Sequence, residues 1–319
     1  MFEEPTFQDV IRAREVIARY LHRTPLHYYP LLSQQLGFDV HVKHENHHMT
    51  GAFKVRGGIY LMSQLSEEDR ARGVVSASTG NHGQSIAYAA QLFGVRSIIV
   101  VPKGANPGKV RSMRALGAEV REHGRDFDEA REYVESFCER EGFRYVHSGN
   151  EPHLIAGVAT YALEIFEDEP DIDVLICPLG GGSGVAGCCL VAQAVNPNVE
   201  VVATQAEAAP AGYLSWRRGE LVEAEMNTFA EGVATRTAFE LPQAIIRRHL
   251  SDFVLVSDDE MMAAIRLYLE TTRNLTEGAG AAPLAAAQKI SQRLAGRKVA
   301  LVVSGGNLSL THLRSIVKG

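Results

Sequence analysis

The chain has 319 residues, 45% of them apolar and 22% charged, and this composition excludes a chain that is disordered throughout. Its formal net charge of −6 argues against a protein that binds nucleic-acid backbones, which needs a basic face. No run of eighteen apolar residues occurs, and the first six residues lack the apolar core of a signal peptide. The four cysteines show no CxxC spacing, so we expect a cytoplasmic protein with reduced thiols.

Short β-rich runs alternate with amphipathic segments along the whole chain, which is typical of an α/β fold with parallel sheets. The predicted strands are Val40–Lys43, Gly73–Ala77, Arg96–Val101, Ala118–Arg121, Phe143–His147, Val174–Cys177, Val199–Thr204, Phe253–Val256 and Lys298–Ser304. Several of these are uninterrupted apolar runs, as expected for strands that are buried on both faces. The clearest helical patterns are Phe7–Tyr20, Asn81–Phe93, Phe127–Glu141, His153–Phe166, Asp258–Thr272 and Ala279–Leu294.

The segment Thr50–Gly58 contains a lysine, Lys54, between an aromatic residue and what reads as a glycine-rich turn. Such a lysine is often a surface residue whose aliphatic stem covers apolar neighbours. The alternative is a partly desolvated lysine. Desolvation disfavours the ammonium form and exposes a nucleophilic amine that can form a Schiff base. Taken alone, the motif leaves both interpretations open.

Two further motifs lie between a predicted strand and a helix. Ser76–Gln84 places small and polar residues at a helix start, where unpaired N–H groups and the helix dipole form an anion site suited to a carboxylate. An ordinary capped turn explains the same residues equally well. Pro178–Gly184 contains consecutive glycines, which let the backbone wrap closely around a phosphate. It lacks the Gly-Lys-Ser/Thr ending of a P-loop, and its spacing departs from GxGxxG.

A fourth motif, Ser304-Gly-Gly-Asn307, follows the last predicted strand. Ligands of open α/β sheets bind at the carboxyl ends of the strands. All four motifs lie at or near junctions between a strand and a helix. One crevice could therefore collect them.

Four histidines, His41, His44, His47 and His48, lie close together in the sequence. A metal site would need two or three imidazoles on one face together with a carboxylate. His41 and His44 are three positions apart, which places them on opposite faces of a strand. We therefore favour histidines at the surface or at the mouth of a substrate site, and expect no metal there.

The order of the four motifs resembles that of the fold-type II pyridoxal phosphate (PLP) enzymes, specifically the threonine/serine dehydratases and the serine racemases. The resemblance covers almost the whole chain. It implies an α/β fold of two open, twisted parallel-sheet domains, with PLP in the cleft between them. The small domain, residues 73–149, would be inserted into a large domain made of residues 1–72 and 150–319. A homodimer and a small amino-acid substrate are also implied, with neither nucleic acid nor membrane as a partner.

The resemblance also implies roles for individual residues. Lys54 matches the Schiff-base lysine of the family, and Phe53 matches the aromatic residue beside the cofactor. Ser304 matches the partner of the pyridine nitrogen. The residues that match the substrate-carboxylate loop are Ser78, Asn81 and His82, and Asn81 also matches the partner of the cofactor 3′-oxygen. Those that match the phosphate loop are Gly180, Gly181, Gly182 and Ser183. Those that match a cofactor-side loop and a nearby acid are Gly232 and Glu277.

The activity implied by the resemblance is elimination of the β-hydroxyl of threonine or serine, which yields a 2-oxo acid and ammonia. Ser304 agrees with this chemistry, because a neutral hydroxyl cannot keep the pyridine nitrogen protonated as a carboxylate would. The carbanion at Cα is then less delocalised, which favours prompt loss of a β-leaving group over transamination.

Two alternative activities remain. The first is a dehydratase for another β-hydroxy amino acid, such as 3-hydroxyaspartate, for which Arg56 and Arg236 are candidate cations. The second is an amino-acid racemase, whose second acid/base is a serine in the family. Thr79 stands at that position, and its hydroxyl could move protons although its methyl group crowds the face.

Some family members also hold a divalent cation. Glu207 and Ala211 fit that pattern, but Tyr213 stands where an acid is required. We therefore expect no metal site.

Overall fold

The structure is a computed structural model that describes residues 3–78, 80–125 and 127–318. The strands in these ranges are β1 (Leu26–Tyr28), β2 (Asp39–His44), β3 (Val74–Ala77), β4 (Ser97–Val101), β5 (Glu119–Glu122), β6 (Arg144–Tyr145), β7 (Val174–Pro178), β8 (Glu200–Ala206), β9 (Asp252–Val256) and β10 (Lys298–Val303). The helices are α1 (Phe7–Ile17), α2 (Pro30–Leu36), α3 (Lys54–Ser63), α4 (Glu67–Arg72), α5 (Asn81–Phe93), α6 (Pro107–Ala115), α7 (Phe127–Glu141), α8 (Pro152–Asp168), α9 (Ser183–Val195), α10 (Ala211–Arg218), α11 (Glu240–His249), α12 (Asp258–Thr272), α13 (Gly278–Lys289), α14 (Ser291–Leu294) and α15 (Leu310–Lys318).

These strands form two sheets. The larger sheet has six strands in the order β1-β2-β10-β7-β8-β9, and the smaller has four in the order β5-β4-β3-β6. All pairs are parallel except that of β1 with β2. The predicted α/β fold with two parallel sheets is confirmed. The antiparallel edge strand β1 was not predicted, because three residues are too few to show a periodic pattern.

The larger sheet is buried on both faces. Leu301 and Val303 of β10 pack in a core with residues of α12 and α13. Ala300 and Val302 pack in a second core, with residues of α8, α9 and α11 on the opposite face. This alternation explains why the strand reads as a continuous apolar run. No helix among the described residues is long and apolar enough to cross a membrane.

A third apolar core joins the smaller sheet to α3 and α8. It contains Val55 and Ile59 of α3, Ile99 of the smaller sheet, and Leu154 and Val158 of α8. The smaller sheet uses residues between β3 and β6, and strands of the larger sheet come from the chain on both sides. The division at residues 73–149 stays a prediction, since this core crosses it.

The glycine-rich turn predicted directly after Lys54 is wrong. Gly57 and Gly58 lie inside α3, where this helix packs tightly on its neighbours. A Cβ atom at Gly57 would lie 2.8 Å from the carbonyl oxygen of Leu154, and one at Gly58 would lie 2.3 Å from Ser85 Oγ. The absence of side chains therefore allows α3 to approach α8 and α5 closely.

A buried ion network anchors the same helix. Arg56 is fully buried, and its Nε donates to Glu45 Oε2 at 2.7 Å while its Nη1 donates to Glu164 Oε1 at 2.7 Å. Lys43 also donates to Glu164. Two cations and two carboxylates thus compensate one another, as buried charges require.

We predict that Gly157→Ala destabilises the protein by about 1–3 kcal/mol, the usual cost of overpacking. A Cβ atom at Gly157, in α8, would lie 2.8 Å from the backbone oxygen of Arg56, which cannot easily move. Urea unfolding would measure this loss. Gly108→Ala in α6 is the matched control, because its nearest neighbour is the side-chain oxygen of Asn106 at 3.1 Å. A loss equal to that of the control would contradict the prediction.

Candidate active site

A cavity of about 440 Å³ lies between the two sheets and collects all four motifs. The predicted site residues that line it are Phe53, Lys54, Ser78, Asn81, His82, Gly180, Gly181, Gly182, Ser183, Gly232, Glu277 and Ser304. Thr79, the remaining predicted site residue, lies outside the described residues. The motifs meet because each follows the carboxyl end of a strand or lies beside one.

Lys54 is the first residue of α3 and lines the cavity. The backbone N–H of the preceding Phe53 donates to the carbonyl oxygen of Ser304 at 3.0 Å, which ties the motif to the end of β10. Lys54 Nζ donates to Ser183 Oγ at 2.8 Å. Burial lowers the pKa of Lys54 to about 8. Of the two interpretations left open by the sequence, the structure therefore supports the desolvated amine.

The glycine-rich loop between β7 and α9 forms an anion site. Gly182 adopts the left-handed conformation (φ +87°) immediately before α9, and as a glycine it has no side chain with which to cap this helix. The first N–H groups of α9 therefore remain available to a ligand. A Cβ atom at Gly180 would lie 2.2 Å from the backbone oxygen of Gly232, and one at Gly181 would lie 2.8 Å from the Phe239 ring. Side chains at these positions would displace the loop.

The loop between β3 and α5 is shaped by Ser78, whose Oγ accepts hydrogen bonds from the backbone N–H groups of Gly80 and Gly83 at 3.2 and 2.8 Å. The imidazole of His82 lies 3.0 Å from Ser76 Oγ, and burial lowers its pKa well below 6.5. His82 is therefore a neutral side chain packed against β3. The backbone N–H groups at the start of α5 are the part of this loop suited to a carboxylate.

Asn81, Glu277 and Asn307 are joined at the edge of the cavity. Asn81 Nδ2 donates to Glu277 Oε1 at 2.6 Å, and Asn307 Nδ2 donates to Asn81 Oδ1 at 2.8 Å. Burial raises the pKa of Glu277, although the Lys109 charge and the Asn81 hydrogen bond oppose this. The sequence prediction gives Asn307 no role in the site. Its place in the fourth motif, three residues after Ser304, is the feature that could have indicated one.

Other lining residues carried no signal in the sequence. Lys109 of α6 forms an ion pair with Glu231, and both residues line the cavity. The carbonyl oxygen of Ser148 accepts from Lys54 Nζ at 3.4 Å. These contacts join segments that are far apart in the chain, so no local pattern reveals them.

The two arginines considered for an acidic substrate lie in different places. Arg236 lines the cavity, but Arg56 does not. The guanidinium of Arg56 is held in the interior by Glu45 and Glu164. Arg56 cannot contact a substrate, and its candidacy is wrong.

Among the described residues, no group of three or more histidine, cysteine, aspartate or glutamate side chains could hold a metal ion. Tyr213, at the position where a metal site would need an acid, packs against Phe253 and Trp216 with ring centroids 5.4 and 6.5 Å away. In the histidine run, His44 stacks on His47, and His48 contacts Glu45.

Residues 17–305 match the protein family described as pyridoxal-phosphate dependent enzyme, and the chain belongs to this family. Its cofactor is pyridoxal 5′-phosphate, as the motif resemblance implies. The site fits this group: the bare start of α9 suits a phosphate, Lys54 provides a desolvated amine, and Ser304 provides a hydroxyl in the same cavity.

Three relatives illustrate the range within the family. The L-threonine ammonia-lyase of Thermotoga maritima is 39% identical over 314 residues, which cover 98% of this chain and 78% of that protein. The L-threo-3-hydroxyaspartate ammonia-lyase of Saccharomyces cerevisiae is 32% identical, covering 99% of this chain and 97% of that protein. The structure of maize serine racemase superposes with a TM-score of 0.93 at 29% identity, covering 99% of this chain and 98% of that one.

We predict that the Lys54 amine of the cofactor-free enzyme titrates near pH 8, because burial disfavours its charged form. The amine loses its proton as the pH rises. At pH 7, its neutral fraction should be about 300 times that of a lysine with a pKa of 10.5. Acylation of Lys54 at a series of pH values, followed by peptide mass spectrometry, would measure the midpoint. A midpoint equal to that of a model lysine peptide would contradict the prediction, and added cofactor should protect the residue.

Proposed function

We propose that the protein is a PLP-dependent ammonia-lyase that removes the β-hydroxyl of threonine or serine, giving a 2-oxo acid and ammonia. The observation that carries the proposal is the neutral hydroxyl of Ser304 in the same cavity as the desolvated amine of Lys54. The 39% identity to a threonine ammonia-lyase supports the same substrate class.

The proposed roles follow from the positions of the residues. The loop of Gly180, Gly181, Gly182 and Ser183 would hold the phosphate at the start of α9. Asn81 would bind the 3′-oxygen, and Ser304 would meet the pyridine nitrogen. Phe53, Gly232 and Glu277 would line the space around the ring. When bound, pyridoxal phosphate supplies an electron sink for the electron pair left at Cα.

Lys54 is the proposed base that removes the Cα proton. With a pKa of about 8, about a tenth of this amine is neutral at pH 7. The N–H groups at the start of α5, in the loop shaped by Ser78, would receive the substrate carboxylate. His82 would contribute through its backbone, because its imidazole lies against Ser76.

A second candidate is elimination from 3-hydroxyaspartate. Lys109, Arg125 and Arg236 line the cavity, and an acidic side chain needs a cationic partner. The yeast relative named for this substrate spans almost the whole chain. A racemase is a third alternative. Its second acid/base would be Thr79, which lies outside the described residues.

We also propose a cytoplasmic homodimer. Met49 and Leu310 are each 70% exposed. They belong to neighbouring segments, because the Gly306 N–H donates to the Gly51 carbonyl oxygen. We propose this face as the contact with a second copy, because burial there would remove both side chains from water. The four cysteines are free thiols, in agreement with a reducing compartment. Light scattering would give the mass in solution.

We predict that Lys54→Ala abolishes both the Schiff-base absorbance and turnover, because it removes the amine that lies beside Ser183 in the cavity. Release of 2-oxo acid from threonine, serine and 3-hydroxyaspartate, with chiral analysis of the recovered substrate, would measure turnover and separate the candidate functions. Lys289→Ala, at a side chain that is 43% exposed, is the control and should behave as wild type. Retention of both signals in Lys54→Ala would exclude the proposed role.

We predict that Ser304→Asp slows elimination at least about tenfold, a change worth about 1.4 kcal/mol. It should also raise the fraction of turnovers that end in transamination. The added carboxylate would keep the pyridine nitrogen protonated and delocalise the carbanion further. The measurement is the ratio of 2-oxobutanoate released from threonine, the product of elimination, to pyridoxamine phosphate formed. Ser304→Ala is the neutral control, and an unchanged ratio in Ser304→Asp would contradict the role of Ser304.

A further inference from the structure

A directional chain of hydrogen bonds runs along the cavity edge from Thr50 through Asn307 and Asn81 to Glu277. We propose that Asn307 and Glu277 are positioning residues that fix the side-chain amide of Asn81, so that Asn81 can only donate, through Nδ2, to the 3′-oxygen of the cofactor. The inference rests on the proposed role of Asn81. It adds the residues that determine which way the Asn81 amide faces.

The direction of the chain is determined at its first end by a backbone carbonyl. Asn307 Nδ2 donates to the carbonyl oxygen of Thr50 at 2.9 Å, and a carbonyl oxygen can only accept. The same Nδ2 donates its second hydrogen to Asn81 at 2.8 Å. The Asn81 atom at that contact must therefore be the acceptor Oδ1, and its Nδ2 must face the other way.

The carboxylate of Glu277 determines the direction at the second end. Asn81 Nδ2 donates to Glu277 Oε1 at 2.6 Å, so a carboxyl oxygen is the acceptor at this contact. Glu277 precedes α13 at the N-cap position, and its side chain makes no cap hydrogen bond to this helix. The side chain reaches Asn81 instead. A Cβ atom at Gly305 would lie 2.6 Å from Oε1, so that glycine leaves the space for it.

Both ends of the chain therefore require the same orientation of the Asn81 amide. Its Nδ2 carries two hydrogens, and Glu277 uses one of them. The second is available on the cavity side, which Asn81 lines. A donor at the 3′-oxygen favours the ionised form of that oxygen, whereas a reversed amide would present its own oxygen and repel it.

The test replaces each end of the chain. In Asn307→Asp, two acceptor oxygens face the Thr50 carbonyl and Asn81 Oδ1, so the Asn81 amide must reverse in order to donate. In Glu277→Ala, the acceptor for Asn81 Nδ2 is lost. For both variants we expect the long-wavelength Schiff-base band to weaken in favour of the near-ultraviolet band. Cofactor binding to the cofactor-free enzyme should weaken about tenfold.

Two further variants keep the test specific. Glu277→Gln should recover most of the wild-type spectrum, because its amide oxygen can still accept from Asn81. Asn46→Ala is the matched control. It removes a bond from Asn46 Nδ2 to the Leu275 carbonyl oxygen, close to Glu277 in sequence, and this bond is not part of the chain from Thr50 to Glu277. This control should keep the wild-type spectrum and affinity.

A wild-type spectrum and affinity in both Asn307→Asp and Glu277→Ala would overturn the inference. Loss without any recovery in Glu277→Gln, or an equal loss in Asn46→Ala, would also overturn it. Failure of the proposed function is distinct, because it would appear as a wild-type enzyme that releases no 2-oxo acid from threonine, serine or 3-hydroxyaspartate. If Asn307→Asp does not fold, Asn307→Ala takes its place and should show the same spectral change to a smaller degree.

Discussion

The close packing of α3 against α5 and α8 determines where the chemistry can take place. Gly58 allows α3 to approach Ser85 of α5, and the Ser85 hydroxyl donates to the carbonyl oxygen of Lys54 at 2.6 Å. Lys54 begins α3 and Asn81 begins α5, so this packing places both residues at one edge of the cavity. The amine, the anion site and the amide of Asn81 all depend on contacts between backbones that any side chain would separate.

Two neighbouring cations of α3 show how burial is used in opposite ways. Arg56 is surrounded by Glu45 and Glu164, and the attraction of these carboxylates holds its pKa above the usual range despite burial. Lys54 lies two residues earlier and donates a hydrogen bond to the hydroxyl of Ser183. Burial lowers its pKa. One buried charge thus stabilises the scaffold, while the other is made reactive because it has no carboxylate partner in the part of the chain that the structure describes.

Periodic patterns predicted most of the fold. The bounds of α5, α7 and α12 agree with the sequence prediction residue for residue. The pattern Ala279–Leu294 is two helices, because the chain breaks at Ile290. The features that the sequence did not predict correctly depend on tertiary contacts. Gly57 reads as a turn residue until α8 is known to pack on it, and Arg56 reads as a free cation until its carboxylate partners are placed.

The strand order has a consequence for how the protein is made. β10 is the last strand in the chain, yet it lies inside the larger sheet between β2 and β7. The Phe53 backbone N–H is held by Ser304, directly after this strand. During synthesis, β2 can therefore pair with β10 only after roughly 250 further residues have been added. Such long-range pairings form slowly. The nascent chain cannot complete its cofactor cavity until β10 and Ser304 have left the ribosome.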